Sequence, residues 1–248
     1  MTLTDHLVRG LKAGAVAGGA YGLFVALIGN PLIRYAETFE HSHSGGGPVV
    51  PRAVTALIST AGGVFLGILF GVVVIGALYY FLEPAIPGTD GTKSYLLGAT
   101  GFVTVSGAPW LAIPPQPPGV EQALGVETRI LWYLLMATVG AFACGLSGYV
   151  YTRLRPRYGQ APAGLGAGLV FLSIPVVATI APANPVSGSL PAELAFVIQA
   201  VTGLGQVGLW FVLASAHAWL LRRDRDEERT GYGRVDHRDP TEPLGVDP

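Results

Sequence analysis

Six stretches of this chain, residues 13–33, 53–82, 95–113, 130–151, 161–183 and 194–221, contain no Asp, Glu, Lys or Arg. Each reaches the roughly 20 residues that a helix needs to cross the hydrocarbon core of a bilayer. In hydrocarbon every backbone donor and acceptor must be satisfied inside the chain, and a helix does this segment by segment. A soluble bundle would carry charged outer stripes, which these runs lack. Half of the residues are apolar and only 12% are charged, too few to clothe six such helices in water. The reading is an all-α integral membrane protein with six transmembrane helices. The second stretch is long enough to tilt.

The remaining charges sort by loop. Arg9, Lys12, Lys93, Arg153, Arg155, Arg157, Arg222, Arg223, Arg225, Arg229, Arg234 and Arg238 fall on one side, and Arg34, Arg52 and Arg129 on the other. Twelve against three places both termini in the cytoplasm of a multi-pass cell-membrane protein, which requires an even number of crossings. Glu37, Glu40, Glu121, Glu127 and Glu193 then lie outside, against Asp5, Glu83 and Asp90 inside, so the outer mouth attracts cations. Residues 222–248 hold six Arg and eight acids and read as a disordered cytoplasmic tail. Its acids outnumber its Arg residues, and Tyr232 is its one aromatic, so nucleic-acid binding is excluded. The first apolar run has no small-residue cleavage site and reads as a retained helix, not a signal peptide. Cys144 is the single cysteine, a small apolar filler that can form no disulfide within the chain.

Glycine recurs every fourth residue at Gly10, Gly14, Gly18 and Gly22, and again at Gly63, Gly67 and Gly71. Such stripes let helices approach closely, so the first two helices pack on each other or on a second copy of the chain. Proline is patterned too. Pro109, Pro114, Pro115, Pro117 and Pro118 end the third stretch, Asn30-Pro31 the first, and Pro175, Pro182 and Pro185 the fifth. Each proline removes a donor, so the third helix is expected to end around Pro109. Leu97-Gly98-Ala99-Thr100-Gly101-Phe102 and Leu165-Gly166-Ala167-Gly168-Leu169-Val170 add a weak internal similarity. Together these suggest three helical hairpins in a parallel repeat, with Pro-broken outer helix ends. The freed carbonyls need protein or water partners, which fits an interfacial stop anchored by Trp110 or the mouth of a transport path.

The stretch Glu37-Thr38-Phe39-Glu40-His41-Ser42-His43 brings two carboxylates and two imidazoles together. In a helix Glu37, Glu40 and His41 share a face at i, i+3 and i+4, and His43 can fold back over them. Mixed nitrogen and oxygen ligands suit cobalt, nickel or zinc better than magnesium. The bland alternative is a solvated polar loop. Within the membrane the polar candidates are Asn30, Gln199 and Gln206, the last two seven residues apart on one helix face. With Pro109, Trp110, Pro114, Pro115 and Glu121 they make a candidate transport path. His217 is expected near the interface as a helix-end group, one turn before Leu221. Gly145-Leu146-Ser147-Gly148 with His217 resembles the Ser and His of a rhomboid-type intramembrane protease. Ser147, however, lies close to the cytoplasmic Arg153, whereas that family's serine opens outward. There is no zinc-protease helix motif and no phosphate-binding glycine loop, and the chain is read as a non-enzyme without catalytic residues or a resident cofactor.

Pro109-Trp110-Leu111-Ala112-Ile113-Pro114-Pro115-Gln116-Pro117-Pro118-Gly119, followed by Arg129-Ile130-Leu131-Trp132-Tyr133-Leu134-Leu135-Met136, resembles the CbtA family of probable cobalt transporter subunits. The likeness extends to Glu37 and Glu40, to Leu190-Pro191-Ala192-Glu193-Leu194 and to residues 206–210, and does not reach the tail. The resemblance implies a membrane component of cobalt import for cobalamin synthesis, beside a short single-span partner with a His-rich end. The chain departs from the family pattern at Asn184 and Gln199, where an acid and a basic residue are expected. A different class of role is a non-transporting scaffold or assembly subunit that uses its glycine stripes to hold a partner.

Overall fold

The computed structural model describes residues 2–40, 51–117, 120–188 and 190–235, with the side chains of Glu40, Arg52, Asp90 and 228–235 outside that description. The chain is an all-α membrane protein. Helix α1 (Leu3–Phe24) runs through a π-helical segment (Val25–Gly29) into α2 (Asn30–Glu40). Next, α3 (Arg52–Phe70) continues through a second π segment (Gly71–Leu78) into α4 (Tyr79–Leu82). A third such rod consists of α5 (Asp90–Phe102), the π segment Val103–Gly107 and α6 (Ala108–Ala112). After β1 (Glu121–Gln122) come α7 (Val126–Tyr158), α8 (Gln160–Val170) and α9 (Ser173–Ala178), then β2 (Val186–Ser187) and α10 (Ala192–Val235).

Five of these rods are long and apolar enough to cross a membrane: Leu3–Phe39, Ala53–Leu82, Val126–Tyr158, Gln160–Ala178 and Ala192–Glu227. The rod of α5 and α6 is not among them. It carries Thr, Ser and Gly between its apolar residues and lies between α10 and α7, so less of it faces the surrounding solvent. Elsewhere Leu27, Phe65, Phe142, Leu165, Ile180 and Phe196 are each 70% exposed or more. Large side chains bared all round a bundle belong against lipid tails.

The glycine stripes are the seam between α1 and the α3 rod. A Cβ on Gly18 would sit 2.5 Å from the Gly63 carbonyl oxygen, and one on Gly22 would sit 2.7 Å from the Thr60 Cα. Gly10 faces Gly71 and Gly14 faces Gly67 in the same way, so the two backbones touch over the length of the seam. Of the two expected uses, the stripes serve packing within the chain. Around this pair, α10 packs on α1 and on α5, while α8 and α9 pack on α7. That set of neighbours does not single out three equivalent hairpins.

Proline acts differently from expectation at one place. The first rod passes through Pro31 without a break, because the π segment ahead of it shifts the bonding register. At the third helix the expectation holds: Pro109 lies in α6, and the chain leaves helical geometry at Ile113 (φ −128°, ψ 80°), within the Pro-rich stretch. The Tyr133 hydroxyl of α7 donates to the Val105 oxygen of the preceding π segment at 2.8 Å. The second difference is at the C-terminal end of α10. α10 extends to Val235, so residues 222–235, expected as the start of a disordered tail, are helical. Its last turns carry an i,i+4 ion pair, Arg223 to Glu227 at 2.9 Å, of the kind that supports an exposed helix.

Candidate functional site

The start of α1 and the far part of α10 lie at one end of the bundle: Arg9 donates to the Asp224 carboxylate from Nε (2.9 Å) and Nη2 (2.5 Å). From that end to the other, α10 shows one face to the interior. Gln199, Gln206, Trp210, Leu213, His217, Leu221 and Asp224 follow each other at helical spacings of three, four or seven, and so align along the helix.

The half of this face far from the termini is built of amides. Gln199 donates to the Gln116 side-chain oxygen at 3.5 Å. Gln206 donates to the Tyr21 hydroxyl at 3.3 Å and accepts from Ser106 at 3.5 Å. Trp110 packs over Gly203, midway between the two glutamines, its ring 3.7 Å from where a Cβ would be. Above them a two-stranded sheet pairs Glu121 with Ser187 and Gln122 with Val186. Asn184, just before β2, fastens the turn there to β1 and its exit, accepting from the Leu124 N–H (3.1 Å) and donating to Gln122 (3.0 Å). Its amide fills a structural place where an acid was expected. Pro114 and Pro115 are half-buried in the extended chain below the sheet, and Glu121 is exposed on it.

The middle of the face is apolar. Trp210 stacks on Phe70 with ring centres 4.9 Å apart, and Leu209, Leu213 and Ile75 complete a closed layer. Beneath it, toward the termini, lies a second polar group. His217 is fully buried, its Nδ1 2.9 Å from the Ser94 hydroxyl. Its ring meets Tyr79 edge-on at 4.7 Å, and His6, 4% exposed, lies 5.8 Å from the same Tyr79 ring. The Arg9–Asp224 pair closes the bundle below them.

Of the sequence candidates, the structure brings Trp110, Gln199 and Gln206 onto one line. Pro109 is buried in α6 beside α7. Asn30 sits apart from that line, its amide both donating to and accepting from Ser59 of α3 (2.9 and 3.1 Å). Glu37 is half-buried on α2. His41 and His43, and the side chain of Glu40, fall outside the described residues. Among the described residues no group of three His, Cys, Asp or Glu is placed to hold a metal.

His217 is corrected from a helix-end group to a core residue. α10 runs on well past it, and it is fully buried with Tyr79 of α4 and Ser94 of α5 against it. Nor is it paired with Ser147, whose hydroxyl donates to the Ala167 carbonyl at 3.0 Å. Sequence reasoning missed His6, Arg9, Tyr21, Tyr79 and Ser94. The available signal was helical phase: residues 6, 9, 13 and 17 form one stripe on α1 next to the glycines, so a His and an Arg on it face inward.

A family model described as a probable cobalt transporter subunit, CbtA, matches residues 3–222. No curated protein and no solved structure matches the chain.

Proposed function

The chain belongs to the CbtA family of probable cobalt transporter subunits, and from that premise we propose that it is the membrane component that carries cobalt, as the divalent ion, into the cell. Both termini lie in the cytoplasm, as the twelve-to-three distribution of basic residues requires. Glu37, Glu40, His41 and His43 collect the ion at the outer mouth, where the excess of acids raises its local concentration. Pro114, Pro115 and Glu121 border that mouth, with Asn30 and Pro109 at the same level of the helices. The ion then passes Trp110, Gln199 and Gln206. Neutral amides suit passage better than a charged cage, because a conducted ion must be bound weakly enough to leave.

The observation that carries this reading is the inward face of α10, with polar groups above and below a closed apolar layer. In a structural helix of a membrane bundle such groups are expensive, and functional sites are where they concentrate. The sequence has no phosphate-binding glycine loop, so an ATP-driven step would belong to another protein. A short single-span partner with a His-rich end, delivering the metal, is the partner this role calls for. The scaffold alternative has less support, since the α1 and α3 glycine stripes are occupied by each other.

The test is uptake of labelled cobalt, with nickel and zinc as competitors, in cells expressing the chain with and without a small His-rich partner. Wild type raises uptake, and the joint replacement Glu37→Ala, Glu40→Ala, His41→Ala, His43→Ala lowers it at least several-fold. Equal uptake by the two forms removes the mouth; no gain in uptake of any metal, even with the partner present, removes the transporter.

A further inference from the structure

His217 is fully buried in the bundle, yet one of its two ring nitrogens has no partner. Nδ1 is held by Ser94 at 2.9 Å, while Nε2 meets neither donor nor acceptor. His6, 4% exposed, leaves its Nδ1 in the same condition. A buried polar atom without a partner is costly, and both imidazoles lie against the Tyr79 ring, so two such atoms there call for an occupant.

Several features narrow the class of that occupant. The Ser94 hydroxyl can accept from Nδ1–H, and in that tautomer the Nε2 lone pair is free, the arrangement that orients histidine toward a metal ion. Neutral imidazole prefers borderline transition metals to magnesium or calcium. The guanidinium of Arg9 would repel a cation, but the Asp224 carboxylate neutralises it through two hydrogen bonds, and Glu83 lies in the turn after α4, near His6 and Lys93. The Tyr79 ring, against which both imidazoles lie, offers a cation its face. Finally, the pocket is beneath the Phe70–Trp210 layer and above the Arg9–Asp224 closure, on the line that begins at Gln199.

We infer that Nε2 of His217 is a ligand of a second transition-metal site, on the cytoplasmic side of the apolar layer, with His6 as the second imidazole of the pocket and Ser94 as a positioning residue. The inference rests on the import reading for the identity of the ion. In it the ion that leaves the outer amides is received by imidazole before release, and the Arg9–Asp224 pair closes the way out.

The experiment uses the composition of the chain. It has five histidines: His6, His41, His43, His217 and His237. Replacing His41, His43 and His237 by Ala leaves His6 and His217 as the only imidazoles, so metal-imidazole ligation in that chain reports this pocket. The chain, purified through a histidine-free tag into nanodiscs, is loaded with Co2+ alone and examined by X-ray absorption, which identifies imidazole ligands. The expected result is imidazole-bound Co2+ in the two-histidine chain and its loss on His217→Gln. Ser94→Ala, which keeps both imidazoles, weakens Co2+ binding by roughly 10- to 100-fold. Absence of imidazole ligation in the two-histidine chain overturns the site, as does ligation that survives His217→Gln or binding unchanged in Ser94→Ala. Cobalt uptake by wild-type cells is measured separately. Uptake without imidazole ligation sinks the inner site and spares the import reading; imidazole ligation without uptake, in any form and with the partner present, does the reverse.

Discussion

Helix α1 has two working seams, and they are built on opposite principles. Toward α3 it presents Gly10, Gly14, Gly18 and Gly22, and backbone lies on backbone. Toward α10 it presents Arg9, Ala13, Ala17 and Tyr21, and contact is made by side chains: Arg9 to Asp224 at one end, Tyr21 to Gln206 farther along, and apolar residues between. The glycine seam has no side chain to rearrange and only one fit. Dispersion contacts and freedom from side-chain entropy hold it, and they hold it as a unit. The second seam consists of discrete pairs that can exchange partners. If helices move to open the α10 face, α1 and α3 move as one body, and the sliding occurs between that body and α10.

The largest expected effect comes from attacking the rigid seam. Gly14→Leu places a branched side chain where the Gly67 carbonyl and the Ile68 Cα already are. No rotamer resolves a clash with backbone, and the loss should exceed about 4 kcal/mol, in the range of failed folding. Fluorescence size-exclusion of the detergent-solubilised protein reads this as loss of the monodisperse peak. Gly19→Ala, one residue beyond Gly18, meets nothing within 4 Å and should leave the peak unchanged. If Gly14→Leu also leaves it unchanged, the contrast between the seams is false.

The next effect is smaller and asymmetric. Arg9 is 4% exposed and Asp224 40% exposed. Asp224→Ala takes a carboxylate from a guanidinium buried in the bundle, whereas Arg9→Ala leaves a carboxylate that can reach water. Severing a wholly buried pair costs about 3–5 kcal/mol; with one partner half in solvent, we expect about 2–3 kcal/mol for Asp224→Ala and about 1 kcal/mol for Arg9→Ala. Thermal unfolding in nanodiscs ranks the two, and the double variant should be less unstable than the sum of the singles. Equal losses, or strict additivity, would mean that the pair does not join α1 to α10.

The parts of this molecule that were legible in the sequence are those set by periodicity and hydropathy. The absence of charge over six runs marked the helical rods, and a period of four marked the α1–α3 seam, because both signals are local to one segment. What was not legible depends on pairs distant in sequence. The Pro-rich stretch marked the end of the third helix, but nothing local to it shows that Tyr133 of α7 donates to the Val105 carbonyl one turn before Pro109. His217 reads as a helix-end group until α10 is seen to continue and Ser94 is found beside it. Arg9 counts as a loop charge in the topology rule, yet its side chain is 4% exposed. Asn184 and Gln116 sit in loops whose meeting point is set by the β1–β2 pairing. The proposed outer ligands, by contrast, rest on local composition around Glu37 alone, and the uptake experiment carries their test.

The smallest expected change in stability, and the sharpest test of what the second seam is for, is at Gln206. Its contacts to Tyr21 and Ser106 are 3.3 and 3.5 Å, at the weak end of hydrogen bonding, whereas Ser94–His217 and Arg9–Asp224 lie at 2.5–2.9 Å. A net hydrogen bond is worth about 0.5–1.5 kcal/mol at good geometry, so these two are worth less. Gln206→Leu keeps much of the volume and adds apolar contact near the Phe70–Trp210 layer, and we expect its unfolding free energy to lie within about 0.5 kcal/mol of wild type. Were the amide there to hold α10 to α1, the substitution would cost more than that and leave uptake intact in whatever protein folds. Were it there for a passing ion, stability would hold while cobalt uptake fell several-fold, because a ligand has been removed from the line between Gln199 and the apolar layer. Measuring both quantities on the same variant separates a helix-joining amide from one that meets an ion.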